Sequence, residues 1–71
     1  MFLTQSPRSR AEHRVFDTWR EAADLVSRRW SVYLEVEPEA GTFAFASYVA
    51  ALDAEEAAAF ELAALAGRAA A

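Results

Sequence analysis

The chain has 71 residues, 55% of them hydrophobic and 13% aromatic, with a formal net charge of −4 and no cysteine. That length allows one domain, close to the size at which a single core barely offsets chain entropy, and the apolar content excludes a disordered chain. Without cysteine, neither a disulfide framework nor a thiolate metal site can support the fold, so helix packing or a second copy must do so.

Met1 to Pro7 has no hydrophobic period and ends on a proline, so residues 1–8 read as a tail ahead of a single domain over 9–67. Met1-Phe2-Leu3 is too short for a signal-peptide core, and Pro7 and Arg8 follow at once. The longest apolar run, Phe43 to Leu52, covers about half a membrane span. The expectation is a soluble, cytoplasmic protein with no membrane span.

Ser9 followed by Glu12 has the spacing of a capping box and starts the first helix near residue 10; Ser6 before Pro7 is the rival start. From there Phe16, Trp19, Ala23, Val26, Trp30 and Tyr33 recur at alternating steps of three and four, the spacing of one stripe along an α-helix. The stripe holds both tryptophans of the chain and is the expected core. A second row, Thr18, Leu25 and Val32, repeats every seven residues, with Val36 beside it. Pro38 disfavours helical geometry at Glu37 and Gly41 follows, which closes the helix near residue 37.

Over residues 42–66 the alternation Thr42-Phe43-Ala44-Phe45-Ala46 hints at a strand, but alanine is a poor strand former and the alanine-rich pattern continues. Phe45, Tyr48, Val49 and Leu52 form a helical face, and Phe60 extends the expected core. Asp53 with Glu56 resembles a fresh helix start, and Gly67 a C-terminal cap before a short tail over 68–71. A continuous helix would place the Glu56 carboxylate among Phe45, Leu52 and Phe60, at a cost unless it is solvated; this slightly favours a break at Asp53. The predicted fold is all-α: an antiparallel helical hairpin, or a small three-helix bundle if the break is real.

No motif specifies a chemistry. His13 and Asp17 lie one helical turn apart, but the local nucleophile is Ser9 alone, and a solvated histidine is the better reading. Glu35, Glu37 and Glu39 lack the glycine and spacing of a calcium loop, and neither glycine opens a phosphate-binding turn. No catalytic, cofactor or metal residue is therefore assigned. Arg8, Arg10 and Arg14 form a short basic segment that could contact phosphates, although the overall charge is negative.

A hairpin rich in tryptophan resembles in shape the small secreted substrates of type VII secretion systems. Their Trp-x-Gly turn is missing, since Arg20-Glu21 follows Trp19 and Ser31-Val32 follows Trp30. No function is carried over from that shape. The expectation is a non-enzymatic helical protein–protein interaction module that binds a second copy or another helical protein. The row Thr18, Leu25, Val32 and Val36 is the expected interface, because one partner helix covers only one face. The alternative is a small regulator contacting nucleic acid through the arginine segment.

Overall fold

The structure is a computed structural model that describes residues 7–70, with side chains over 10–68. Two long helices, α1 (Pro7–Glu35) and α2 (Gly41–Ala70), are joined by a one-turn 3₁₀ segment, Pro38–Ala40. They lie antiparallel: Tyr33 meets Phe45, Trp30 meets Tyr48, and at the far end Arg14 shares a groove with Leu65. The described residues contain no strand and no third long helix, so the hairpin is the correct alternative and the three-helix bundle is not formed.

The connection follows from the proline. Glu37 adopts φ −64° and ψ 152°, the extended geometry that a following proline imposes, and Pro38 opens the 3₁₀ turn. Val36 N–H still donates to the Val32 carbonyl at 3.0 Å, and Ala40 N–H to the Glu37 carbonyl at 2.9 Å. Gly41 has ordinary right-handed helical angles, φ −60° and ψ −45°, so it opens α2 and the break before it rests on Pro38 alone.

Three further boundaries differ from the sequence expectation. Helix α1 begins at Pro7, which favours the Ser6-Pro7 start and makes Pro7 and Arg8 helical; the remainder of the expected tail lies outside the described residues. Helix α2 runs through Asp53 without a break. It also runs through Gly67, which has no positive φ and therefore does not cap the helix. The Asp53 break was favoured by the cost of covering Glu56. In the single hairpin Glu56 is exposed, so a continuous helix forms without that cost.

Alanine, not the aromatic residues, forms the centre of the contact. Ala44, Ala51 and Ala58 are 8%, 4% and 6% exposed, and among the described residues no large side chain is fully buried. They repeat every seven residues, and with half-buried Gly41, Tyr48, Glu55, Leu62 and Leu65 they trace the alternating three–four seam of a left-handed helix pair. Small residues at a seam let two helices approach closely. Phe16, Trp30 and Phe45 accordingly lie along its edges, partly exposed, and the seam's own rings, Trp19, Tyr33 and Tyr48, are only half-buried. On α1 the half-buried set is Val15, Trp19, Ala22, Val26, Tyr33 and Val36, with Ala23 and Leu25 at its flanks. The expected core stripe shares Trp19, Val26 and Tyr33 with this seam, but its outer half is displaced to one side.

Candidate functional site

The hairpin measures 55 × 29 × 12 Å, a plate one helix thick. Such a plate has two broad faces, and successive helical residues advance about 100°, so residues two apart, such as Trp30 and Val32, project roughly oppositely. The seam lies between them. The sequence rows therefore fall on opposite faces of the plate.

One face is aromatic. Phe16 and Trp19 lie 5.8 Å apart between ring centroids near the open end of the hairpin. Near the turn, four rings close a circuit: Trp30–Tyr33 at 5.5 Å, Trp30–Tyr48 at 5.0 Å, Tyr33–Phe45 at 5.4 Å and Phe45–Tyr48 at 6.1 Å. All five contacts are tilted, at interplanar angles from 37° to 58°, within the distance range in which the ring quadrupoles attract. The circuit locks α1 to α2 from one side, yet Trp30 remains 41% exposed and Phe45 47%. Phe16 and Val49 are also exposed, and Leu52 is half-buried. Of the residues expected as core, Phe16, Trp30, Phe45 and Val49 thus form a partly open surface. Phe60 is corrected outright: it is 70% exposed and lines a shallow outer cleft with Glu56, Ala59 and Ala63.

The opposite face carries the seven-residue row. Val32 is exposed, Leu25 and Val36 are half-buried, and Thr18 is exposed. The Thr18 hydroxyl donates to the Arg14 carbonyl at 2.9 Å, so this row's polar member is satisfied within its own helix. A small groove beside the turn is walled by Arg29, Val32, Val36, Phe43 and Ser47. A wider, open cleft of about 430 Å³ at the other end is lined by Ala11, Arg14, Val15, Thr18, Glu61, Leu65 and Arg68. Glu61 among its arginines makes it a mixed-charge cleft.

The basic segment is part of α1 and not a free arm. Arg10 and Arg14 are exposed on the helix, and Arg68 of α2 joins them at the open end. His13 and Asp17 are both exposed on the same helix. Among the described residues no group of three His, Cys, Asp or Glu side chains is placed to hold a metal ion, and no buried side-chain polar atom lacks a partner. No helix of the described residues is long and apolar enough to cross a membrane.

Ranking residues by apolar size does not reveal the alanine seam. The signal was present: Ala44, Ala51, Ala58 and Leu65 repeat every seven residues. No known protein family, curated protein or solved structure matches the chain.

Proposed function

We propose that the protein is a non-enzymatic helical interaction module that works by self-association. One observation carries this reading: among the described residues the two-helix plate buries just three alanines well, while large apolar side chains stay open on both faces. Its radius of gyration is 16.5 Å, against about 11 Å for a compact domain of this length. A 71-residue chain with so small a core gains much of its stability from surface that it covers by association. Pairing of two hairpins gives a four-helix bundle, the ordinary way for such units to complete a core. Sedimentation equilibrium from low to high micromolar concentration tests it: a mass shifting toward two chains is expected, and a constant monomer mass refutes the reading.

The second reading, a regulator that contacts nucleic acid, is favoured by Arg10, Arg14 and Arg68 sharing the open end of the hairpin. Salt separates the two. Phosphate contacts weaken steeply with salt concentration, whereas apolar helix packing persists.

A further inference from the structure

We infer that the aromatic face, not the Thr18–Val36 row, receives the second copy, and that the two hairpins lie head to tail, the turn of each over the open end of the other. The inference rests on the self-association reading above. It names the face and the orientation, which that reading leaves open.

The choice of face follows from chemistry. Aromatic side chains are enriched at interface centres, because a ring supplies large contact area for little lost rotamer freedom. Phe16, Trp30, Phe45 and Val49 are all exposed on that face, with Tyr48 and Leu52 half-buried between them. The opposite face offers two exposed large apolar side chains, Val32 and Phe43, both beside the turn, with exposed Thr18 toward the open end, so its apolar surface is confined to one end. The available area is sufficient. The two longer dimensions, 55 and 29 Å, bound a face of roughly 1,600 Å², and covering half of it matches the ~800 Å² per partner of a standard stable interface.

The orientation follows from charge. The turn carries Glu35, Glu37 and Glu39, with Arg29 in the groove beside it, while at the open end Arg8, Arg10, Arg14 and Arg68 are nearly balanced by Glu12, Asp17 and Glu61. A two-fold axis across the plate sets each acidic turn over a nearly neutral open end. An axis along the plate would set acidic turn on acidic turn. Ends separated by much more than the ~8 Å screening length interact weakly, so only the end that actually lies opposite matters. The shallow cleft of Glu56, Ala59, Phe60 and Ala63 lies on the open half of this face, where a partner's turn half would seat.

The test uses the full chain. Sedimentation equilibrium compares wild type with Phe16→Glu/Val49→Glu and with Leu25→Glu/Val32→Glu, while circular dichroism checks that each variant is helical. The first variant is expected to raise the dimer Kd at least tenfold, and the second to leave it within about threefold. The reverse pattern overturns the choice of face while self-association stands. A wild type that stays monomeric at high micromolar concentration removes the underlying reading instead. Because the chain has no cysteine, Thr42→Cys gives a unique spin-label site at the turn, and it needs no disruptive change. Thr42 lies about 13 residues from the middle of α2, so head-to-tail pairing separates the two labels by about 40 Å at 1.5 Å rise per residue. A separation within the 29 Å width of one plate overturns the head-to-tail arrangement, and it decides the question even if a glutamate variant unfolds.

Discussion

Trp30 and Tyr48 face each other across the hairpin with ring centroids 5.0 Å apart, closer than any other described ring pair. Tyr33 and Phe45 repeat the contact three residues nearer the turn on each helix, which sets the register of α1 against α2. An alanine seam alone is a poor register mark, since every alanine resembles the next. The rings supply the distinction.

Trp30→Ala removes two ring contacts at once. Because Trp30 is only partly covered, the loss should be about 2 kcal/mol, below the 3–5 of a fully buried aromatic. Urea unfolding at a concentration where the wild type is monomeric measures it. A loss near the full buried value would mean that a partner covers the ring even there.

The seam makes the opposite demand. Ala51→Leu adds bulk at the most buried position described, and should cost at least 1–3 kcal/mol by forcing the helices apart. Phe60→Ala, on a largely solvated ring, should shift stability by less than about 0.5 kcal/mol. If the phenylalanine change costs more than the alanine change, the ring edge and not the seam holds the hairpin together.

Gly67 distinguishes a helix interior from a cap. A side-chain carbon added there meets nothing within 4 Å, and the residue has no positive φ. Gly67→Ala should therefore raise stability by about 0.5 kcal/mol, since glycine is the poorer helix former. A fall in thermal midpoint would restore the capping role suggested by the sequence.

Glu56 flanks the aromatic face on α2, between Leu52 and Ala59 along the helix, and it is exposed in the single hairpin. Covering that face withdraws its carboxylate from water. Glu56→Gln should tighten self-association by about 1 kcal/mol through the smaller desolvation cost of an amide. Association equally strong in both forms, measured by sedimentation, would place Glu56 outside the covered area.

The helical class was legible in the residues themselves, because it depends on local features. Pro38 behind Glu37 ends α1 by sterics alone, and the three–four spacing from Phe16 to Tyr33 suits a helix and no strand. The antiparallel path follows from a short connection between two helices of similar length. Which side of each helix meets the other was decided only in three dimensions. Ranking residues by apolar size selects Trp30, Phe45 and Phe60 as core. Close approach of the two axes rewards small side chains instead and gives the centre to Ala44, Ala51 and Ala58. The continuity of α2 was settled in the same way. Asp53 and Glu56 form a helix-start pattern locally, but the pattern yields where the carboxylate stays exposed within the single hairpin and an unbroken seam runs from Ala44 to Leu65.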